Sequence, residues 1–167
     1  MKPFDFCPAC GTRFEEGAPD GGRQCSSCGR SWYLNPAPTA AGVLVRDGKA
    51  LLAVRGQEPD KGRLDVPGGF VEIDESPVEA VRREMREELG IEVEVREDDY
   101  VQSAAHQYGE EGDWLLSMGF RVRLLSGDIA PADDVADVRW VSREELDDLD
   151  FAWPHDRELV RKVLDYV

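Results

Sequence analysis

A glycine turn followed by a capped helix is the feature that most constrains how this chain can fold. Residues 66–69 (Val-Pro-Gly-Gly) predict a tight turn with close backbone approach, because two adjacent glycines carry no Cβ. Ser76 then suits a helix N-cap, with Pro77 at the first helical position and Glu79 completing a capping box. Gly90 is the expected stop of the helix. One face carries an apolar stripe that suits packing on a sheet, formed by Val78, Val81, Met85 and Leu89.

Three glutamates lie on another face of this predicted helix. Glu84, Glu87 and Glu88 are spaced i, i+3 and i+4, so their carboxylates project from one side. Like charges held together repel one another, and oxygen-only ligands favour a hard cation such as Mg²⁺ or Mn²⁺. The alternative is a solvated acidic helix face, which is common in a chain this acidic. The spacing alone leaves both interpretations open.

The glutamates belong to a longer pattern of nine residues at fixed positions: Gly69, Glu75, Arg83, Glu84, Met85, Glu87, Glu88, Gly90 and Ile91. In its loop-to-helix context this pattern resembles the signature box of the Nudix hydrolases. The resemblance implies hydrolysis of a nucleoside diphosphate linked to another moiety, with Mg²⁺ or Mn²⁺ as the cofactor.

The same likeness implies roles for single residues. It places the metal ions on the carbonyl of Gly68 and on the carboxylates of Glu84, Glu87 and Glu88. Arg83 is expected to orient the glutamates, and Glu75 to brace Arg83 or the loop. A carboxylate must take the proton of the attacking water, and Glu84 and Asp134 are the two candidates. Asp134 lies six positions before Trp140, where family members often carry an acid; a solvated acidic loop is the alternative.

All four cysteines lie in two CxxC pairs that are separated by fourteen residues. This spacing is typical of a structural zinc ion with four thiolate ligands, here Cys7, Cys10, Cys25 and Cys28. The alternatives are two disulfides, which secretion would favour, and a redox CxxC at the head of a helix. The segment resembles a zinc ribbon. Residues 1–34 are therefore predicted to form a zinc ribbon, and residues 35–167 a Nudix hydrolase domain.

Alternating and apolar runs predict the remaining elements. The predicted strands cover residues 39–45, 50–54, 92–96, 100–107, 114–125 and 138–141. One helix is predicted directly after Ser142 and another over residues 156–166. Residues 46–49 are predicted to form a hairpin turn, residues 35–38 a linker, and residues 56–63 and 108–113 two loops. Strands interleaved with a few helices predict an α+β fold. This agrees with the αβα sandwich around a mixed sheet that the Nudix likeness implies.

The net charge of −15 lies wholly outside residues 2–33, which hold four basic and four acidic side chains. The negative electric field of this excess charge argues against nucleic acid as a partner, because general binding to nucleic acid needs clustered lysine and arginine. It does not exclude a small nucleotide that arrives as a metal complex, and a salt-adapted host would also explain it. No run is long enough to span a membrane, and residues 1–4 lack the apolar core of a signal peptide. A cytoplasmic location and no membrane partner are therefore expected.

Three residues are candidates for substrate binding. Arg55 directly follows a predicted strand, Phe70 follows the glycine turn, and Tyr108 lies seventeen residues past the box, as in many diadenosine-polyphosphate hydrolases. The alternatives are that Arg55 is an ordinary surface arginine and that the rings of Phe70 and Tyr108 serve only for packing. The NADH-cleaving branch of the family also carries a zinc ribbon, but its Ser-Gln-Pro-Trp-Pro-Phe-Pro array is missing here.

The chain is thus predicted to be a pyrophosphohydrolase of the ADP-ribose, NADH or dinucleoside polyphosphate class. An alternative is a binding module that senses a nucleotide while the ribbon contacts a partner. A damaged box would be the hallmark of that alternative, and this box is intact. The sequence is also compatible with a homodimer.

Overall fold

The computed structural model describes residues 5–14, 22–109 and 112–166. Residues 1–4, on which the expectation of no signal peptide rests, lie outside the described residues, as do residues 110 and 111 of the predicted loop 108–113. The helices and strands follow in chain order as β1 Arg23–Gln24, β2 Ser31–Trp32, β3 Ala37–Arg46, β4 Lys49–Arg55, β5 Leu64–Asp65, β6 Gly68–Phe70, α1 Pro77–Leu89, β7 Glu92–Glu94, β8 Tyr100–Gln107, β9 Trp114–Ser126, β10 Val135–Ser142 and α2 Pro154–Asp165. Two 3₁₀ helices, Glu97–Asp99 and Arg143–Asp148, complete the secondary structure of the described residues.

Eight of the strands form one mixed sheet with the main order β10-β4-β3-β9-β7. The strands off this path are β5, which pairs with β4, β6, which pairs with β3, and β8, which pairs with β9. β3 and β9 run parallel, with Ala37 opposite Leu115 and Leu44 opposite Val122, while the other neighbours are antiparallel. β1 and β2 form a separate antiparallel hairpin. The predicted α+β class is confirmed.

An apolar core lies on each face of the sheet, because successive side chains of a strand point to opposite sides. Along β4, Leu51 and Ala53 join one core, and Ala50 and Leu52 join the other. The helices complete these cores: α1 supplies Val81, Met85 and Leu89 to the first, and α2 supplies Leu159, Val160 and Val163 to the second. The predicted αβα sandwich is therefore confirmed.

No helix in the described residues has the length and apolar character needed to cross a bilayer.

Helix α1 begins and ends at the residues that the capping pattern predicts. Ser76 Oγ accepts a hydrogen bond from the N–H of Glu79 at 3.4 Å, and Glu79 Oε2 accepts one from the N–H of Ser76 at 2.8 Å. Pro77 occupies the first turn, and Gly90 closes the helix with a φ of 68° in the left-handed region. These local signals fix where the glutamates of α1 stand relative to the turn before it.

We expect Ser76→Ala to lower the free energy of unfolding by about 1 kcal/mol, because the helix loses its N-cap acceptor. Urea unfolding followed by circular dichroism measures this change. Ser126→Ala, at an exposed position at the end of β9, is the control and should stay within about 0.5 kcal/mol of the parent. Equal effects of both substitutions would contradict a capping role for Ser76.

Two predicted elements are shorter or different in type. Residues 143–148 form a 3₁₀ helix, because Leu146 is the only buried residue among them and no apolar stripe supports an α-helix. β7 ends at Glu94 instead of residue 96, because the N–H of Arg96 donates to Asp99 Oδ2 at 3.0 Å and starts the next 3₁₀ helix.

Two strands start two or more residues earlier than predicted. β3 begins at Ala37, within the predicted linker 35–38, and the carbonyl of Pro38 accepts a hydrogen bond from the N–H of Val71 at 3.0 Å. Proline is tolerated there because it lies next to the first residue of the strand. β10 begins at Val135, which pairs with Arg55 at the end of β4. This pairing draws Asp134 towards the glycine turn.

Candidate active site

The glycine turn lies directly against two glutamates of α1. Glu88 is only 6% exposed, and its Oε2 accepts a hydrogen bond from the N–H of Gly68 at 3.0 Å. A Cβ on Gly69 would lie 2.2 Å from Glu84 Oε1. Gly68 has a φ of +154°, and a Cβ there would lie 2.3 Å from the carbonyl oxygen of Ala40. The absence of a Cβ therefore lets Gly69 approach Glu84 and lets Gly68 approach the backbone of β3.

Arg83 joins the other acidic residues of the box. Its guanidinium binds Glu75 through two hydrogen bonds, from Nε to Oε1 at 3.0 Å and from Nη2 to Oε2 at 3.1 Å. Nη1 donates to Glu84 Oε1 at 2.7 Å and to Glu87 Oε2 at 3.1 Å. Nη2 also donates to the carbonyl of Phe70 at 2.8 Å. The rigid guanidinium fork therefore fixes the directions of three carboxylates and the loop.

Negative charge is concentrated beside the turn. Burial, followed by the charges of Glu84 and Asp134, raises the pKa of Glu88 to about 9. Burial also raises the pKa of Glu84 despite the opposing effect of Arg83. Arg83 compensates the charge of this group only in part, and the oxygen-only donors of the group suit Mg²⁺ or Mn²⁺. Among the described residues no three of these carboxylates bring one oxygen each within 4.8 Å of one another, so the oxygens are spread wider than the ligands of one bound ion would be.

A cleft with about 650 Å³ of empty space, part of it open solvent, adjoins the glycine turn. Five residues that the sequence nominates line it: Arg55, Gly68, Phe70, Tyr108 and Asp134. Glu84 and Glu88 reach its edge through Gly69 and Gly68, whereas Glu75, Arg83 and Glu87 stand outside the lining. The cleft thus connects the acidic group with a set of side chains able to contact a larger substrate.

Arg55 is held tightly in the wall of the cleft. Its Nη1 donates to Asp65 Oδ2 at 2.7 Å, and its Nε donates to the carbonyl of Pro59 at 2.8 Å. Nη2 reaches the hydroxyl of Tyr108 at 3.4 Å, and the side chain is 11% exposed. The guanidinium also lies 5.8 Å from the centre of the Trp153 ring. Arg55 is therefore pre-positioned, with part of its hydrogen-bonding capacity used by the protein itself.

Two rings that contact Arg55 belong to a group of five, the ring cluster: Phe70, His106, Tyr108, Trp153 and His155. Tyr108 and Trp153 lie 5.6 Å apart between centroids with an interplanar angle of 31°. His106 lies 5.0 Å from Trp153 and 4.3 Å from His155. Phe70 is half exposed and lies 6.5 Å from Tyr108. The cluster presents flat apolar surface of the kind on which a nucleobase stacks.

A hydroxyl chain continues from the ring cluster along the cleft. His106 Nδ1 lies 3.2 Å from the carbonyl of Gln107, so this nitrogen carries the proton, because a carbonyl can only accept. His106 Nε2 then accepts from the hydroxyl of Ser117 at 2.8 Å, and Ser117 Oγ lies 2.7 Å from Thr39 Oγ1. Burial lowers the pKa of His106, which favours this neutral form.

The cleft residues that escape sequence reasoning include three titratable ones: Asp65, His155 and Asp156. Asp65 is a charged residue between the apolar residues Leu64 and Val66, and this break of pattern is a signal that could have found it. Asp156 lies in the first turn of α2, where acidic residues are common for helix-dipole reasons alone. His155 carries no pattern. These residues become visible only once α2 is placed beside β5.

The four cysteines form a compact group at the described start of the chain. Cys7 Sγ lies 3.7 Å from Cys28 Sγ, and Cys10 Sγ lies 3.5 Å from Cys25 Sγ. Four thiolates at about 2.3 Å from one tetrahedral zinc would stand about 3.8 Å apart. The two halves are alike, since Gly11 N–H donates to Cys7 O and Gly29 N–H donates to Cys25 O, each at 2.9 Å. All four thiols are free, so the donor set and the spacing fit zinc and not disulfides.

The chain thus combines an αβα sandwich with a carboxylate-bearing helix that packs against a glycine turn at the edge of a cleft. The family model of the NUDIX domain matches residues 36–163. The chain therefore belongs to the Nudix hydrolase family.

Individual relatives agree with this assignment. The NAD-capped RNA hydrolase NudC of Pseudomonas aeruginosa is 34% identical over 161 residues, which are 96% of this chain and 54% of that protein. The ADP-ribose pyrophosphatase of Methanocaldococcus jannaschii is 33% identical over 119 residues, 71% of this chain and 69% of that protein. The chain spans about half the length of the NudC relatives that it matches.

Solved structures are also similar. The crystal structure of a NUDIX hydrolase from Nitrosomonas europaea has a TM-score of 0.76 and 25% identity, over 97% of this chain and 91% of that one. The solution structure of the E. coli ORF135 protein has a TM-score of 0.67 and 32% identity, over 79% of this chain and 91% of that one. The first of these covers the cysteine segment as well as the sandwich.

Proposed function

We propose that this chain hydrolyses a pyrophosphate bond in a nucleoside diphosphate derivative, with Mg²⁺ or Mn²⁺ as the cofactor. The observation that carries the proposal is the group of buried, undercompensated carboxylates beside a glycine turn at the edge of the cleft. The metal ligands would be the carbonyl of Gly68 and the carboxylates of Glu84, Glu87 and Glu88. When bound, divalent ions neutralise phosphate oxygens and make an attacking water more acidic.

The residues of the chain supply orientation and a base. Arg83 holds one oxygen of Glu84 and one of Glu87, which leaves the second oxygen of each for a cation. Glu84 is the first candidate for the base, because its raised pKa makes it a better proton acceptor near neutral pH. Asp134 is the second, since it lines the cleft and its charge acts on both Glu84 and Glu88.

The ring cluster and Arg55 would bind the nucleoside part of the substrate. Stacking on Trp153 and Tyr108 suits a nucleobase, and Arg55 would meet a phosphate or ribose with its remaining N–H groups. The substrates that fit are ADP-ribose, NADH and dinucleoside polyphosphates. The relatives named as NAD-capped RNA hydrolases weaken the expectation against nucleic acid. A net charge of −15 opposes general binding along RNA, but it does not oppose entry of a single capped end.

A substrate panel tests this function. The protein is incubated with ADP-ribose, NAD, NADH, diadenosine polyphosphates, nucleoside triphosphates and a short NAD-capped RNA, each with Mg²⁺, Mn²⁺ or EDTA. We expect AMP from at least one diphosphate derivative with either metal and no product in EDTA, measured by chromatography. Undiminished turnover in EDTA would contradict the metal dependence. Failure to cleave any diphosphate derivative would contradict the proposed reaction.

We also propose that Cys7, Cys10, Cys25 and Cys28 bind one structural zinc ion, which leaves no ligand position for a reacting water. The described apolar residues around them are few, namely Phe14 and Trp32 besides the cysteines themselves. Such a small core needs the metal in order to fold. The intact box favours an enzyme over a nucleotide-sensing module.

A further inference from the structure

One buried acid in the cleft is used neither by the proposed metal site nor by the proposed base. Asp156 is the third residue of α2 and is 4% exposed. Its carboxyl is in hydrogen-bond contact with the carboxyl of Asp65 and with the backbone N–H of Val66. A buried acid beside a second acid is costly unless a proton or a cation compensates it.

The neighbours decide which of the two acids carries a proton. Asp65 Oδ2 forms an ion pair with Nη1 of Arg55 at 2.7 Å. Asp156 faces His155 Nε2 at 3.5 Å, but burial, followed by the neighbouring imidazole of His106, lowers the pKa of His155 to about 4. The imidazole is thus neutral and gives no charge compensation. Burial and the negative charge of Asp65 raise the pKa of Asp156.

A neutral Asp156 has a definite pattern of hydrogen bonds. Its O–H donates to the Asp65 carboxylate, and its carbonyl oxygen accepts from the N–H of Val66. On one side this ties α2 to the strand that leads through residues 66 and 67 into Gly68. On the other side Asp65 holds Arg55, which in turn reaches Tyr108 at 3.4 Å. The carboxyl group of Asp156 therefore links the start of α2 to the strand before the glycine turn and, through Asp65 and Arg55, to the ring cluster.

A second tie fixes the same end of α2. Gln102 Nε2 donates to the backbone carbonyl of His155 at 2.8 Å, and Lys162 Nζ donates to Gln102 Oε1 at 2.8 Å. Trp153 and His155, which precede Asp156 in the chain, are both rings of the cluster. Small shifts of the first turn of α2 would therefore move the surface offered to a nucleobase.

We propose that Asp156 is a positioning residue: as a neutral carboxylic acid, it locks the first turn of α2 to Asp65 and Val66 and so holds Trp153 and Arg55 in the geometry that binds the nucleoside part of the substrate. The kinetic consequence rests on the proposed hydrolase function. Asp156 itself does not touch the reacting atoms in this proposal.

The test compares three variants of the full chain. Asp156→Ala removes both hydrogen bonds, and we expect KM for the best panel substrate and Kd for ADP-ribose to rise about tenfold. The kcat of this variant should fall by less than about threefold. Asp156→Asn keeps a donor for Asp65 and an acceptor for Val66, so it should restore KM to within about twofold of the parent. Val163→Ala, in the buried face of the same helix, is the control for a general loss of stability.

The outcomes separate positioning from mere stability. If Val163→Ala raises KM as much as Asp156→Ala at a similar loss of melting temperature, the positioning role is wrong. The role is also wrong if Asp156→Asn binds ADP-ribose as poorly as Asp156→Ala does, because the asparagine side chain keeps a neutral donor for Asp65 and an acceptor for Val66. If no panel substrate is cleaved, the proposed function fails, and the Kd values for ADP-ribose still decide the role of Asp156.

Infrared spectroscopy covers the case in which Asp156→Ala does not fold. Difference spectra between the parent and Asp156→Asn, both with carboxyl-labelled aspartate at neutral pH, should show loss of one protonated carboxylic acid band. A loss of an ionised carboxylate band instead would overturn the proposal, because Asp156 would then be charged and have no proton to donate.

Discussion

Glu87→Gln is expected to lower kcat by about 10³-fold without changing the melting temperature, because it removes one negative ligand from the proposed metal site. The Glu87 side chain is half exposed, and its contact with the rest of the chain is a 3.1 Å hydrogen bond from Arg83. Glutamine preserves the shape of the side chain and can still accept that bond. The loss should therefore fall on chemistry and not on folding. Steady-state kinetics at saturating Mg²⁺ and a thermal melt by circular dichroism measure the two effects.

Glu92→Gln is a matched control for this substitution. Glu92 has a side-chain exposure of 48% against 50% for Glu87, and it also pairs with an arginine, Arg86, at 2.6 Å. It lies beyond the end of α1 and outside the box, so kcat should stay within about twofold of the parent. Near-normal turnover of Glu87→Gln would contradict the metal assignment. Equal losses in both variants would point to a general electrostatic effect.

The parts of the fold that the sequence predicts well are those with local signals. The capping box at Ser76 and the stop at Gly90 give both ends of α1, since each cap involves residues within one helical turn. The turn around residues 46–49 and the alternation of 100–107 likewise depend on neighbours in the chain. In residues 143–148 the capping residues Ser142 and Glu145 indicate a helix, but no apolar stripe sets its type, and the 3₁₀ form is missed.

Long-range pairing accounts for the rest. The parallel pairing of β3 with β9 joins residues 78 positions apart, such as Thr39 and Ser117, and no local pattern encodes it. This pairing explains why β3 extends into the predicted linker. It also brings Ser117 into the cleft beside His106.

The residues of the candidate site also divide into those with a local sequence signal and those without one. The box residues follow from a family pattern whose members are close in sequence, and their contacts with Arg83 agree with the roles that the likeness implies, although those roles stay predictions. Arg55 is placed in the cleft as expected, but its partner Asp65 is not foreseen. The pair of Asp65 and Asp156 spans the chain from β5 to α2, and only the packed structure shows it.

Cys25→Ser is expected to abolish zinc binding and to unfold the cysteine segment while the sandwich stays folded. Cys25 is 1% exposed and lies in a core that otherwise contains only Cys7 and Phe14 as buried residues among those described. A hydroxyl is a far weaker zinc ligand than a thiolate, so the site falls from four ligands to three. We expect zinc content to drop from about one ion per chain to near zero, measured by atomic emission after dialysis.

The sandwich carries its own two cores, so its chemistry should survive the loss of the ribbon. We expect kcat of Cys25→Ser to stay within about threefold of the parent, while limited proteolysis removes the cysteine segment much faster. Ser26→Ala, at an exposed position inside the same CxxC loop, is the control and should keep both zinc and protease resistance. Stoichiometric zinc in Cys25→Ser would contradict the four-thiolate site. A collapse of kcat together with the zinc content would instead show that the cysteine segment supports the cleft, because the glutamates of the proposed metal site and both cores lie in the sandwich.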